Sequence, residues 1–176
     1  MASTDLRQAC LERLELLDLP YGFNTGHLLT AISQYRGKPV TVDSIDTTPL
    51  RVPTNGWHIE LQHKEAIIFA AGTSKMHQYH ILAHELGHIM FDHPGVINAH
   101  DIPVEVLAML GVDPADVIST SGRCSHHQKR ERQAELFGSL LRQRMYRERF
   151  LPALQPKSAD ARWEAAFTRP IKERRT

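Results

Sequence analysis

The chain has 176 residues, of which 41% are hydrophobic and 23% are charged, a composition typical of a globular protein and not of a disordered one. This length fits one domain that can bury a hydrophobic core without covalent cross-links. No segment approaches the roughly 18 uncharged apolar residues of a membrane span, and the N-terminus lacks a basic start followed by an apolar stretch, so we expect a cytoplasmic protein in which Cys10 and Cys124 are reduced.

The formal net charge of +1 conceals an asymmetry along the chain. Residues 1–125 carry 8 Lys and Arg against 14 Asp and Glu, a balance of −6, whereas residues 126–176 carry 13 against 6, a balance of +7. A basic segment can contact nucleic acid or an acidic partner, but no aromatic interleaving or nucleic-acid motif accompanies these charges. We therefore expect a solvated helix face and a solubilising tail without direct nucleic-acid binding, and keep a DNA-binding regulator as an alternative.

The first part of the chain predicts two helices. Apolar residues at spacings of four, four and three predict a first helix that ends before Pro20. These residues are Leu6, Cys10, Leu14 and Leu17. A second helix is expected over residues 26–35, with Asn24 or Thr25 as its cap and Gly37 just past its end.

Residues 40–71 have the pattern of three strands separated by turn residues. In the clearest strand Trp57, Ile59 and Leu61 alternate with polar residues, as in a half-buried strand. The run over residues 66–71 is apolar on both faces and is expected to pair with that strand as a hairpin. We predict a small antiparallel three-stranded sheet that precedes a long helix.

Three helices are predicted after the sheet. Ser74 is expected to cap a long helix that reaches about Phe91. Asp101 is placed to cap a short helix over residues 103–110, with proline in its first turn. The last long helix is expected over roughly residues 126–150.

These elements predict an α+β, mainly helical single domain over residues 1–150 and a weakly organised basic tail over residues 151–176. No repeat or linker divides the chain. The connection over residues 93–125 contains an apolar stretch, residues 104–110, which indicates a lid or a partner-docking helix, or equally a packed structural insert.

The predicted long helix contains the run His84-Glu85-Leu86-Gly87-His88. Residues four apart on an α-helix project from the same face, so His84 and His88 can present imidazole nitrogens to one metal ion. Glu85 lies about 100° around the helix axis, where its carboxylate can act as a base without being a ligand. The run predicts a catalytic Zn²⁺ site of a metallopeptidase, with two histidine ligands and Glu85 as the catalytic residue.

A catalytic zinc generally takes three protein ligands, so a third must come from elsewhere in the chain. The extended pattern with a histidine six residues after His88 is excluded, because Pro94 occupies that position. On the last predicted helix Glu131 and Glu135 share one face, with the small Ala134 between them. We predict Glu131 as the third ligand and Glu135 as the acceptor for an imidazole N–H. The next candidates for the third ligand are His100, His126 and His127.

Residues 82–88 read Leu-Ala-His-Glu-Leu-Gly-His, and residues 131–141 read Glu-Arg-Gln-Ala-Glu-Leu-Phe-Gly-Ser-Leu-Leu. With a small sheet ahead of the metal helix, they resemble the ImmA/IrrE family of zinc metallo-endopeptidases, which occur beside helix-turn-helix repressors in bacteria and phages. The resemblance covers roughly residues 25–145. It implies a zincin-like fold and cleavage of an XRE-type repressor, which would relieve repression. It also implies zinc ligation by His84, His88 and Glu131, with Glu85 as the base.

Two further expectations concern the surroundings of the site. The strand over residues 66–71 is expected to bind an extended substrate by strand addition at the sheet edge. His77 and His80 lie on nearly the same helical face as His84, and either line the cleft or stabilise a developing oxyanion, or are satisfied by a nearby carboxylate or water.

The alternative function is a non-catalytic zinc-containing protein. Such a protein would bind and modulate a transcriptional regulator, or act as part of a toxin–antitoxin pair. In both interpretations the partner is a protein and not a membrane.

Overall fold

The computed structural model describes residues 2–46, 56–93, 102–121 and 128–150. The elements in these ranges, in chain order, are α1 (Ala2–Glu15), α2 (Thr25–Arg36), β1 (Val40–Ile45), β2 (Gly56–Leu61), β3 (Glu65–Ala70), α3 (Lys75–Met90), α4 (Val104–Met109), β4 (Val117–Ser121) and α5 (Gln128–Phe150). The α+β class is confirmed. The tail over residues 151–176 lies outside the described residues.

The described strands form one sheet in the order β1-β3-β2-β4. Strand β2 pairs antiparallel with β3, as the predicted hairpin requires, and antiparallel with β4 on its other side. Strand β1 pairs parallel with β3. The prediction of three antiparallel strands is therefore wrong in strand number and in the direction of β1.

Strand β3 is an interior strand, which explains why it is apolar on both faces. The prediction that residues 66–71 offer a sheet edge to a substrate is wrong for the same reason, because β1 and β2 already occupy both sides of β3. The edges of the described sheet are β1 and β4. Strand β4 was missed because it is short, and its order in the sheet depends on pairing with a strand about 60 residues earlier in the chain.

The two faces of the sheet bury different sets of apolar residues. Val40 and Ile67 lie in a cluster with buried residues of α1, α2, α3 and α5. Trp57 and Ile59 lie on the opposite face, in a cluster that includes Val106 of α4. In its described part, the connection between α3 and α5 is thus a packed structural insert, as one of the two alternatives expected.

Local capping signals explain where the helices begin and end. The Asn24 side chain accepts a hydrogen bond from the His27 backbone N–H at 3.0 Å, and Gly37, at φ 68°, ends α2 in the left-handed region. Ser74 caps α3 as predicted. Helix α1 begins four residues before Leu6, and Pro103 is the N-cap of α4, while Asp101 lies outside the described residues.

Among the helices that the structure describes, we find none with the length and apolar character that crossing a membrane requires.

A buried ion-pair network ties the sheet to the C-terminal end of α3. Glu65, at the start of β3, is fully buried and accepts hydrogen bonds from Arg36 Nε at 2.6 Å and His58 Nε2 at 2.7 Å. Arg36 also donates to Asp92, just past α3, at 2.6 Å. Burial by itself raises the pKa of Glu65, but the hydrogen bonds and charges of His58 and Arg36 outweigh it and lower the pKa to about 2. The network therefore holds the metal helix against the sheet.

Replacing Glu65 with Gln is expected to lower the free energy of unfolding at neutral pH by about 3–5 kcal/mol, because Arg36 and His58 lose the buried carboxylate that pairs with both of them. The pKa of Glu65 is about 2 in the folded protein against an ordinary value of 4.5. The carboxylate therefore stabilises the fold above pH 4.5, and this contribution is lost as the pH falls toward 2. Urea unfolding of both proteins between about pH 7 and pH 3 should show their difference narrowing at the acidic end.

Glu60→Gln is the matched control. Glu60 accepts a hydrogen bond from Lys38 at 2.7 Å, but its side chain is 24% exposed. Loss of the Glu60 carboxylate should lower the free energy of unfolding by about 1 kcal/mol or less. Equal losses in the two variants, or a Glu65→Gln difference that does not change with pH, would contradict the assigned role of the network.

Candidate metal centre

The site depends on a very close crossing of α3 and α5. A Cβ atom added to Gly87 would lie 2.7 Å from the Ala134 backbone, and one added to Gly138 would lie 2.9 Å from the Ala83 backbone. Each glycine therefore faces a small residue of the other helix. Two helices can approach this closely only where neither presents a side chain larger than a methyl group, so the crossing brings the α5 carboxylates next to the α3 histidines.

The structure brings the three predicted metal ligands together. His84 Nε2 and His88 Nε2 are 3.1 Å apart. Glu131 Oε2 lies 3.4 Å from His84 Nε2, and Glu131 Oε1 lies 3.6 Å from His88 Nε2. Taken with one ligand atom per residue, the three donors lie within 4.8 Å of one another. The triad can hold one metal ion.

The second nitrogen of each histidine faces a partner of its own. Glu135 Oε2 lies 3.5 Å from His84 Nδ1, in the position predicted for an acceptor of an imidazole N–H. His88 Nδ1 lies 2.9 Å from His93 Nδ1, and His93 Nε2 lies 3.2 Å from Gln133 Oε1. With both Nδ1 atoms engaged, the Nε2 atoms are left to face the metal position.

His93 and Gln133 were missed as site residues by the sequence analysis. His93 is five residues after His88, one short of the spacing of the extended pattern, and Gln133 lies on α5 between Glu131 and Glu135. A histidine just past the helix that carries the candidate ligands can indicate a hydrogen-bond partner for one of them. The contact between the Nδ1 atoms of His88 and His93, however, depends on how the chain turns after α3.

Burial keeps His88 in the neutral form that binds metal. The side chain is 10% exposed, and burial is the main cause that lowers the pKa of His88 to about 3, with smaller effects from the neighbouring His84 and His93. The pKa of His93 is also lowered, again chiefly by burial. A neutral imidazole keeps a nitrogen lone pair for a metal at neutral pH.

Glu85, the predicted catalytic residue, is buried at the centre of α3, with 7% of its surface exposed. It directly follows His84, so its side chain leaves the helix about 100° around the axis from that ligand. A groove of about 620 Å³ opens beside the donors. Its lining residues are Leu6, His84, Glu131, Arg132, Glu135, Leu136 and Ser139.

The other histidines that the sequence marked as candidates lie on α3 or outside the described residues. His80 Nε2 lies 3.8 Å from Glu135 Oε2, and the His77 and His80 rings stack at 6.2 Å. The Glu135 carboxylate thus lies near His80 but beyond hydrogen-bond distance, and the described lining of the groove includes neither ring. The next ligand candidates, His100, His126 and His127, lie outside the described residues, as does Cys124, while Cys10 is a buried free thiol.

Comparisons of the chain with protein-family models, with curated proteins and with solved structures found no match. The geometry of the candidate metal centre and the two sequence segments that supply it are therefore the observations that bear on function.

Gly87→Ala is expected to lower both stability and metal affinity, because the new methyl group would force α5 away from α3. Overpacking of this kind costs about 1–3 kcal/mol. Zn²⁺ titration against a chromophoric chelator and urea unfolding measure the two effects. Gly72→Ala is the control, since a Cβ at Gly72 meets no atom within 4 Å. Wild-type metal affinity in Gly87→Ala would show that the close crossing does not hold the donors.

Glu131→Gln and Glu135→Gln are expected to weaken metal binding to different degrees. Glu135→Gln removes a charged partner of His84 and should cost about 10–100-fold in affinity. Glu131→Gln removes a charged ligand and should lower Zn²⁺ affinity by more than Glu135→Gln does. The same Zn²⁺ competition assay measures both. A larger loss of Zn²⁺ affinity in Glu135→Gln than in Glu131→Gln would instead assign Glu135 as the ligand and Glu131 as the partner of His84.

Proposed function

We propose that this chain is a zinc-dependent endopeptidase of the HExxH type. The observation that carries the proposal is the convergence of two imidazole Nε2 atoms and one carboxylate from a separate helix, with each Nδ1 atom held by another residue. Three protein ligands that leave a coordination position for water are typical of catalytic zinc, whereas structural zinc sites are closed by four.

The donor set and its dimensions favour zinc as the metal. Imidazole nitrogens suit zinc better than magnesium or calcium, which prefer oxygen ligands. Two donors at zinc's bond length of about 2.0–2.1 Å and at the tetrahedral angle are about 3.3–3.4 Å apart. The closest separations between the three side chains here are 3.1, 3.4 and 3.6 Å.

Each residue of the site has a role in peptide hydrolysis. A zinc ion held by His84, His88 and Glu131 would polarise a scissile carbonyl and lower the pKa of coordinated water toward about 7. The Glu85 carboxylate would accept the proton of the attacking water and return it to the leaving nitrogen. Glu135 would hold His84 with Nε2 toward the metal.

The groove beside the metal centre favours a peptide as the substrate. Its volume of about 620 Å³ is in the range of about 300–1,000 Å³ that ligand sites occupy, and its wall joins apolar Leu6 and Leu136 to charged Arg132. The resemblance of residues 82–88 and 131–141 to the ImmA/IrrE family points to one class of substrate, an XRE-type helix-turn-helix repressor. Cleavage of such a repressor would relieve repression.

Glu85→Gln is expected to retain zinc and to lose peptidase activity, because it removes the base but none of the ligands. Loss of general-base catalysis alone corresponds to about 10²–10⁴-fold in rate. Mass spectrometry of new termini, after incubation of zinc-loaded protein with a mixed peptide library and with an XRE-type repressor, measures the effect. Metal content, determined on the same preparations, is the control.

Two outcomes would contradict the enzyme. Equal cleavage by wild type and Glu85→Gln would assign the activity to another residue or to a contaminant. Zinc binding without any cleavage, together with full function of Glu85→Gln in cells, would support the alternative of a non-catalytic zinc protein that binds a regulator.

A further inference from the structure

We propose that His93 and Gln133 are positioning residues that select the metal-binding tautomer of His88. The inference rests on the proposed metal site and deepens it. His93 bonds His88 directly, and Gln133 acts on His88 through His93.

The hydrogen bond between His88 and His93 contains one hydrogen atom, which is bonded to one of the two rings. Their Nδ1 atoms are 2.9 Å apart, and a neutral imidazole carries a hydrogen on only one of its two nitrogens. If the hydrogen belongs to His88 Nδ1, then His88 Nε2 has a lone pair for a metal. If it belongs to His93 Nδ1, the hydrogen of His88 is on Nε2 and blocks the metal position.

The orientation of the Gln133 amide, with its oxygen toward His93, favours one of these two states. Its Oε1 atom lies 3.2 Å from His93 Nε2, and an amide oxygen is only an acceptor. His93 must therefore carry its hydrogen on Nε2 to donate to Gln133, which leaves His93 Nδ1 to accept from His88. In the opposite tautomer two acceptors would face each other at 3.2 Å. The acceptor at residue 133 thus places the lone pair of His88 on Nε2.

The surrounding residues hold this chain of hydrogen bonds in place. The His93 ring stacks on Phe91 with 5.7 Å between centroids, and Phe91 packs edge-on against Phe137 of α5. His84 can adjust its tautomer, because its partner Glu135 is 51% exposed and water can take the same role. Without a metal, His84 can carry its hydrogen on Nε2 and donate it to the lone pair of His88 Nε2, 3.1 Å away. His88, whose side chain is 10% exposed, depends on the protein for its tautomer.

The tautomers can be read directly by long-range ¹H–¹⁵N NMR of the imidazole nitrogens in the metal-free full chain at about pH 8, where imidazoles are neutral. Wild type is expected to show the Nδ1–H form of His88 and the Nε2–H form of His93. Loss of signals in His93→Phe, which keeps an aromatic ring on Phe91, assigns them. A wild-type His93 with its hydrogen on Nδ1 would overturn the proposal.

A change of polarity at residue 133 supplies the second test. Gln133→Glu keeps an acceptor and should keep the wild-type tautomers. Gln133→Lys offers only donors and should convert both rings to the opposite tautomers. Gln133→Met removes the hydrogen bond without adding charge and should give a mixture. A purely structural role of Gln133 would leave the tautomers unchanged in every folded variant, and that result would also overturn the proposal.

Zinc affinity gives a readout independent of catalysis. His93→Phe should lower Zn²⁺ affinity by about 10–100-fold, the usual cost of losing a ligand's hydrogen-bond partner. His93→Gln retains an acceptor for His88 and should restore part of the loss. Unchanged affinity in His93→Phe would contradict the positioning role. Failure of the wild type to bind Zn²⁺ would refute the metal site itself, so the two failures are distinguishable.

Discussion

The close contact between α3 and α5 is the constraint on which the metal centre depends. Gly87 lies against the Ala134 backbone, and Gly138 lies against the Ala83 backbone. Since the ligands come from both helices, the distance between the helix axes decides whether a carboxylate reaches the imidazoles. The small residues are therefore as important to the site as the three candidate ligands.

Three polar side chains of α5 surround the two α3 histidines. α5 contributes Glu131 toward the metal position, Glu135 toward His84, and Gln133 toward the ring that faces His88. One helix thus supplies a ligand and orients both of the others. A site organised in this way needs little rearrangement to accept a cation.

The other side of α3 is held by the sheet. Glu65 is buried beneath the helix and is neutralised by Arg36 and His58, and Arg36 continues to Asp92 at the helix end. The metal helix is therefore supported by ion pairs on one side and by close backbone packing on the other. The insert between α3 and α5 contributes to the opposite face of the same sheet, so the described part of the chain forms one continuous structure.

Local patterns were sufficient to predict the helices, the cap at Ser74 and, as one of two candidates, the cap at Asn24, because helical spacing and capping depend on residues within one or two turns. The structure brings the three predicted donors together. The HExxH run places two donors by the geometry of one helix. Sheet order, the direction of β1, the existence of β4, and the roles of His93 and Gln133 depend on contacts between distant segments. Only the tertiary structure could decide these features, because no short stretch of sequence determines which strand another strand pairs with or which residue an imidazole ring contacts.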